Sequence, residues 1–210
     1  MKICLVSPYD YAYPGGVVSH VKHLANQLTL KGHQVKIIAP VHSVPEGSEN
    51  LIAMGRPIPF PGVDTVTRIS LSVWLTARVR AVLKKEQFDI IHLHEPLSPF
   101  VPLVVLRESE SLNIGTFHAF HGSKHIYRFT GFLLRPFHNK LHGHIAVSEP
   151  ARKFIDKSFP ADYTIIPNGI DFDHFNKRVS KLPQFDAVSY THLRAHETDS
   201  YLVCRLLLEK

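Results

Sequence analysis

Short apolar runs rich in β-branched residues alternate with helical stretches along most of this chain, and that alternation limits what it can fold into. Each run is too short for a helix and is bounded by turn residues, which is typical of a buried strand. Strands that alternate with helices form a parallel sheet with helices on both faces. The sequence therefore predicts a doubly wound, mostly parallel α/β fold. The predicted strands are residues 3–7, 35–39, 89–94, 114–118, 144–148 and 163–166.

Two segments between the second and third predicted strands have a different composition. Residues 40–62 are rich in proline and glycine, which predicts loops and short edge strands. Residues 74–86 have the period of a helix, with apolar residues on one side. The segment is either a solvated outer helix or a basic surface helix that rests on anionic lipid. Its cations are Arg78, Arg80, Lys84 and Lys85.

A glycine pair, Gly15-Gly16, stands between the first predicted strand and an amphipathic helix. Glycines without side chains let a ligand approach the main chain, and the first turn of a helix directs unpaired N–H groups and a positive dipole end at that place. The pair indicates either a phosphate site or a structural turn. Lys31-Gly32-His33 predicts the end of the helix, with glycine at the C′ position.

Composition narrows the class of protein. With 210 residues, 44% hydrophobic and 20% charged, the chain suits a globular core. A net charge of +6 and a pI of about 9.3 favour anionic partners such as nucleotides or phospholipid head groups. No basic stripe with interleaved aromatics indicates nucleic acid, so we expect no nucleic-acid partner.

The expected setting is reducing and cytoplasmic, because Cys4 and Cys204 form no disulfide or thiolate-zinc pattern. No signal segment opens the chain, and no apolar run reaches about 18 residues. We therefore expect neither secretion by that route nor a membrane span.

Ligands of a doubly wound sheet lie beyond the carboxyl ends of its strands. The residues at those ends include Tyr9, Glu95 and His118. Glu95 suits a general base, a helix cap or an ion pair. After the fifth predicted strand, Ser148-Glu149-Pro150 predicts the start of another helix. Asn168-Gly169 marks a tight turn, to whose chemistry we assign Asp171 and Asp173.

Fifteen histidines raise the question of a metal site. His118, His121 and His125 are close in sequence, and strand alternation puts His92 and His94 on one face. No carboxylate or thiolate completes a familiar pattern such as HExxH, so we expect no metal site. The sequence predicts hydrogen-bonded strand-end histidines at His92, His142 and His144.

Five ordered segments resemble the acceptor-side half of a GT-B glycosyltransferase of the retaining family four. They are PGG followed by Ser19-His20, FDIIHLHEP, GTFHAFH, HIAVSE and IIPNGIDFDHF. PGGVVSHV, HEP and the LRPFH before HIAVSE are most similar to the phosphatidyl-myo-inositol mannosyltransferases. The resemblance implies one Rossmann-like domain of a GT-B fold, and transfer of a sugar from a nucleoside diphosphate sugar, with retention. In that subfamily the donor is GDP-mannose and the acceptor is an inositol phospholipid at the cytoplasmic membrane face.

The resemblance assigns roles on the donor side. It implies that Gly15 and Gly16 contact the donor diphosphate through their backbone, and that His118 lies beside the transferred sugar as the catalytic residue. A neutral imidazole there can donate or accept a hydrogen bond and help hold developing charge without a metal. The donor is thus a substrate, and no cofactor is expected.

On the acceptor side the resemblance assigns Tyr9 to the acceptor ring, with His20 near the same cleft and Arg68 toward an anionic head group. Where the inositol-using subfamily usually carries polar acceptor contacts, this chain has Val18, Leu97 and Ala119. The acceptor is therefore open between an inositol lipid and another hydroxyl compound, such as a different lipid or a sugar.

The sequence changes character after Asp186. Residues 187–210 match nothing expected of the family and resemble a translated adapter read-through, with a linker and amphipathic helix as the alternative. We therefore divide the chain into a glycosyltransferase domain (residues 1–176), the start of an interdomain linker (177–186) and a non-native tail (187–210).

The family resemblance also implies a second domain that supplies the nucleotide pocket. We therefore expect the 210-residue chain to bind nucleotide sugar weakly and to show no turnover. Two other functions remain open: a sugar-nucleotide epimerase of the same fold, and a non-catalytic module that binds membrane or carbohydrate.

Overall fold

The computed structural model describes residues 1–45, 47–55, 57–61, 66–70, 75–99, 101–118 and 124–169, with the backbone alone for 57–61, 66–70 and 124–130. In chain order the elements are β1 (Lys2–Val6), α1 (Gly16–Leu30), β2 (Gln34–Ala39), β3 (Leu51–Ala53), β4 (Pro57–Pro61), β5 (Val66–Ser70), α2 (Leu75–Glu86), β6 (Ile90–His94), α3 (Val101–Glu108), β7 (Leu112–Phe117), α4 (Lys124–His138), β8 (Gly143–Ala146), α5 (Glu149–Asp156) and β9 (Tyr163–Ile165).

The main sheet has seven parallel strands in the order β3-β2-β1-β6-β7-β8-β9. Strand β1 lies between β2 and β6, with Ile3 in register with Val35 on one side and Ile90 on the other. The chain builds one half of the sheet outward from β1 and then returns to build the other half outward from β6. The predicted doubly wound parallel sheet is confirmed.

Helices cover both faces of the sheet. On one face, α1 packs its buried residues Val18, Val21 and Ala25 against β1 and β2. On the other face, α2, α3 and α5 contribute to a larger core that contains Cys4 and Val6 of β1. Successive residues of a strand point to opposite faces, so β1 supplies both cores in alternation.

The predicted helix ends are confirmed at two places. At the end of α1, Gly32 has a φ of +84°, the Gly32 N–H donates to the Thr29 carbonyl and the His33 N–H donates to the Leu28 carbonyl. This is a Schellman motif, in which the C′ position favours glycine. At the start of α5, the Ser148 Oγ accepts a hydrogen bond from the Ala151 N–H.

Some elements differ from the sequence prediction. Residues 40–62 supply the edge strand β3 and also β4, which pairs antiparallel with β5 in a separate two-stranded sheet. Helix α3 has no counterpart in the prediction, because a short and almost wholly apolar run has no period that separates helix from strand. The chain divides into units at Ile170, and the predicted linker and tail, residues 177–210, lie outside the described residues.

No helix in the described part of the chain is both long and apolar enough to cross a membrane.

Gly115 in β7 is required by close packing between segments that carry the site. A Cβ built on Gly115 would lie 2.8 Å from Leu141 Cδ1 and 2.9 Å from Pro96 Cγ. Pro96 directly follows Glu95 at the end of β6, and its ring cannot rotate away. A side chain at position 115 would therefore displace the turn that leaves β6.

We predict that Gly115→Ala lowers the free energy of unfolding by about 1–3 kcal/mol, the usual cost of overpacking a core. Urea denaturation measures it. The matched control is Gly143→Ala on the neighbouring strand, where the nearest atom to the new Cβ is 3.8 Å away. Equal stability changes in the two variants would contradict the packing account.

Candidate active site

The point where the strand order reverses lies between β1 and β6. The carboxyl ends of these strands lead in opposite directions, which leaves a crevice beyond the sheet edge at this position. Helix α1 begins beside it, and the loop between β1 and α1 contains Tyr9 and the glycine pair. The candidate residues from the first, sixth and seventh strands therefore meet at one edge of the sheet.

The glycine pair is exposed and has no structural requirement within the described chain. Gly15 is the N-cap of α1 in an extended conformation that any residue adopts, with φ −173° and ψ 154°. A Cβ at Gly15 or Gly16 would meet nothing within 4 Å. No side chain caps the helix and its first turn carries no acidic residue. The interpretation as a structural turn therefore loses its support, and the open main chain fits an anion.

Asp10 holds the loop that leads to the glycine pair. One carboxylate oxygen accepts hydrogen bonds from the backbone N–H groups of Ala12 and His42, and the other lies 2.7 Å from His42 Nδ1. Asp10 itself is buried. This carboxylate fastens the loop to the segment that follows β2, so the approach to α1 has a fixed course.

Histidines from three elements meet at the crevice. His20 lies on α1, one helical turn after Gly16, and its ring centroid is 5.3 Å from those of both His94 and His118. His94 Nδ1 lies 2.9 Å from His118 Nε2. His92 stacks on His94 at 4.7 Å, as strand alternation predicted, and its Nε2 lies 2.7 Å from the Thr116 hydroxyl. The helix that presents the glycine pair thus contacts the predicted catalytic histidine through His20.

Glu95 fixes the backbone at His118. Glu95 has a left-handed φ of +51°, rare for a residue with a side chain, as the chain leaves β6. Its buried carboxylate accepts a hydrogen bond of 2.6 Å from the His118 N–H. Strained backbone of this kind concentrates at functional sites. Of the roles considered for Glu95, the structure supports the positioning of His118.

All four histidine rings in the crevice favour the neutral form. Burial, followed by the nearby His20 and His92, lowers the pKa of His118 to about 3. Burial, followed by His20, lowers the pKa of His92 to about 4. Burial lowers the pKa of His94 well below its usual range, and burial also lowers the pKa of His20. At neutral pH His118 is therefore a hydrogen-bonding imidazole and not an acid.

Tyr9 lies half-buried in the same crevice. Burial raises the pKa of its phenol, and the charge of Glu95 raises it further. The phenol therefore keeps its proton and can donate a hydrogen bond to a bound hydroxyl compound. The structure thus places Tyr9 near the Glu95 end of the site, as the acceptor-side assignment requires.

Other predicted positions have different outcomes. Arg68 is opposite Pro59 in β5 and its side chain is not described. Val18 and Leu97 are buried in the two cores, so packing explains why they are apolar. Several named residues, or their side chains, lie outside the described set: Ala119, His121, His125, Asp171 and Asp173.

The strand-end histidines divide. The predictions for His92 and His142 are confirmed, since His142 Nδ1 accepts a hydrogen bond from the Asn113 N–H. The prediction for His144 is wrong, because its Nε2 is buried without a hydrogen-bond partner among the described residues. The His42 contact to Asp10 was missed, since nothing in the sequence links positions so far apart.

Helix α2 buries its apolar side and exposes its cations. Leu75 and Val79 lie in the core. Arg80 Nε lies 2.8 Å from a Glu108 carboxylate oxygen on α3. The helix therefore has no apolar face left to insert into lipid, and any contact with a membrane would be electrostatic. The four exposed cations are Arg78, Arg80, Lys84 and Lys85.

The parallel sheet, with an open helix N-terminus at its switch point, defines a Rossmann-like α/β domain of the kind that holds nucleotides. Known structures with this fold are GT-B glycosyltransferases. Sucrose-phosphate synthase from Thermosynechococcus elongatus superposes with a TM-score of 0.59 at 18% identity, covering 82% of this chain and 49% of that one. Anabaena HepE in complex with UDP-glucose gives 0.54 at 15% identity, covering 82% and 45%.

The sequence model of Glycosyltransferase Family 4 matches residues 14–174, and the chain belongs to that family. A phosphatidyl-myo-inositol mannosyltransferase of Mycobacterium leprae (strain TN) is 36% identical over 173 residues, 82% of this chain and 46% of the relative. An alpha-monoglucosyldiacylglycerol synthase of Acholeplasma laidlawii is 26% identical over 232 residues, 100% of this chain and 57% of the relative. The chain spans about half the length of the curated relatives it matches.

The neutral histidines predict a pH dependence of stability. The unfolded histidines titrate near pH 6.5, whereas the folded values are about 4 for His92 and about 3 for His118. Between these values the folded chain binds fewer protons than the unfolded chain, so stability is present above pH 6.5 and is lost as the pH falls. Each such histidine contributes a slope of about 1.4 kcal/mol per pH unit.

Urea denaturation at pH 6 and pH 5 tests this dependence. We expect His118→Gln to make the slope shallower by about 1.4 kcal/mol per pH unit, since the titrating ring is gone. The control is His33→Gln, just after the other end of α1. An unchanged slope in the His118 variant would contradict the neutral ring.

Proposed function

We propose that this chain is the acceptor-side domain of a retaining glycosyltransferase that moves a sugar from a nucleoside diphosphate sugar to a hydroxyl acceptor. The donor diphosphate binds at the first turn of α1, with Gly15 and Gly16 leaving the main chain open. His118 lies beside the transferred sugar, and Tyr9 and His20 line the acceptor side. The reaction uses no metal or other cofactor in this proposal.

The glycine pair is the observation that carries the proposal. Neither backbone conformation nor packing requires glycine at these positions, whereas an approaching phosphate does. The first turn of α1 offers N–H groups and the positive end of the helix dipole to that phosphate. One turn further along the helix, His20 contacts His118. The phosphate position and the catalytic histidine therefore belong to one crevice.

The chemistry follows from the charges at the crevice. As the bond between the sugar C1 and the diphosphate oxygen breaks, negative charge develops on the departing phosphate, where the N–H groups of α1 and the neutral His118 ring can stabilise it. The acceptor hydroxyl oxygen forms the new bond to C1 on the same face. Its proton passes to the departing phosphate oxygen. With a pKa of about 3, His118 acts by hydrogen bonding and not by proton donation.

The names of the relatives support a finer proposal. Transfer of mannose from GDP-mannose to an inositol phospholipid fits the mannosyltransferase relatives, and the second relative's name also contains a lipid. Val18 and Leu97 do not count against it, because both are buried in this chain. Arg68 is assigned to the anionic head group of such an acceptor. The remaining donor contacts belong to a second domain, as the half-length match suggests.

A peripheral position at the inner face of the plasma membrane follows from a lipid acceptor. The exposed cations of α2 would supply the attraction to anionic head groups, each contributing about 1 kcal/mol near the surface. Because the apolar side of α2 is buried, the attraction is electrostatic and sensitive to salt.

Substitution of Gly16 tests the diphosphate site. We predict that Gly16→Val weakens binding of GDP to the 210-residue chain at least about tenfold, because the side chain covers the first-turn N–H groups. Thermal unfolding should stay within about 0.5 kcal/mol of the parent chain, since the new side chain meets open space. Isothermal titration calorimetry measures the first quantity. Gly143→Ala is the matched control, and equal GDP affinities in all three chains would contradict the site.

Vesicle flotation tests the basic surface of α2. We expect the chain to float with vesicles that contain anionic phospholipid at low salt and to lose most of that binding when Arg78, Lys84 and Lys85 are replaced by glutamine. Arg80 is left intact because it pairs with Glu108. The control replaces Lys31, Lys153 and Lys157, which removes the same charge elsewhere. Equal flotation of both triple variants would exclude a lipid-binding role for α2 and leave the diphosphate site untouched.

A further inference from the structure

Three histidines that are far apart in sequence form a nearly equilateral triangle of rings. The centroid distances are 5.3 Å for His20–His94, 5.3 Å for His20–His118 and 5.2 Å for His94–His118. One ring nitrogen of each lies within 4.8 Å of the other two. They come from α1, from β6 and from the residue after β7, so that only the fold brings them together.

This triangle has the dimensions of a tetrahedral metal site. A zinc ion binds imidazole nitrogens at about 2.0–2.1 Å, which places three such nitrogens about 3.3 Å apart and their ring centroids about 5.2 Å apart. The 2.9 Å between His94 Nδ1 and His118 Nε2 is already close to that spacing. His20 is half-buried on a helix surface, where a small rotation of its side chain brings its nitrogen into range.

A second observation points to a missing ligand at these rings. His94 is fully buried, and its Nε2 has no hydrogen-bond partner among the described residues. Buried polar nitrogens nearly always have a partner, and an ion or an ordered water explains many of the exceptions. The carboxylate of Glu95, bonded to the His118 N–H, supplies negative charge beside the cluster. Burial of a cation is less costly where a carboxylate lies close to it.

We propose that His20, His94 and His118 form a binding site for one divalent transition-metal ion of the zinc class, with a fourth coordination position open to water. Neutral imidazole is the form of histidine that binds metals, and an open fourth position is typical of three-histidine sites. The ion occupies the ring of His118 that the proposed transfer uses, and only this consequence rests on the proposed function. The binding itself depends on the three rings alone.

Cobalt spectroscopy on the metal-stripped 210-residue chain tests the site. We expect Co²⁺ to bind with one ion per chain, to give the visible absorption of tetrahedral cobalt without a thiolate band, and to be displaced by Zn²⁺. His20→Gln should weaken binding at least about tenfold and should leave the fold intact, since the residue is half-buried on a helix. His118→Gln should do the same.

Controls separate this site from other histidines. His33→Gln, beyond the other end of α1, and a variant with His192→Gln, His196→Gln and Cys204→Ser should keep the affinity of the parent chain. Absence of a tetrahedral spectrum, or equal affinity of the parent and the His20 and His118 variants, would overturn the proposal. That result would leave the GDP affinity of the chain unaffected, so failure of the metal site and failure of the proposed function are distinguishable.

Discussion

The hydrogen bond from the His118 N–H to the buried Glu95 carboxylate is the interaction on which the site depends. It joins the ends of two adjacent parallel strands, β6 and β7, at the point where each chain leaves the sheet. A buried carboxylate is costly unless it accepts hydrogen bonds, so the bond fixes both partners. It also places His118 against His94, and Gly115 lets the same turn pack closely through Pro96.

Local features of the sequence predicted the elements of the fold. β-branched runs located six strands of the main sheet to within two residues at each end, because buried parallel strands need continuous apolar sequence. Gly32 predicted the end of α1 because a left-handed residue is needed there. Gly15 and Gly16 predicted an open main chain for a similar reason in reverse: with no need for glycine within the chain, a ligand remains.

Contacts between distant residues could not be predicted from the residues alone. Sequence proximity grouped His118 with His121 and His125, whereas the fold groups it with His20 and His94. The Asp10 contact with His42 joins loops after different strands, and no local signal indicates it. Helix α3 was missed because its apolar residues continue without a period. These features depend on which strands become neighbours, which is set by packing of the whole sheet.

The account joins a helix N-terminus, a neutral histidine and a protonated tyrosine into one crevice of a family-four glycosyltransferase domain. Its central claim is that the first turn of α1 binds the donor diphosphate. A titration of the ¹⁵N-labelled chain with GDP, followed by amide chemical shifts, tests this most directly. The account predicts saturable shifts at Gly16, Val17 and Val18. Shifts confined to the basic helix α2, or no saturable shift at α1, would contradict it.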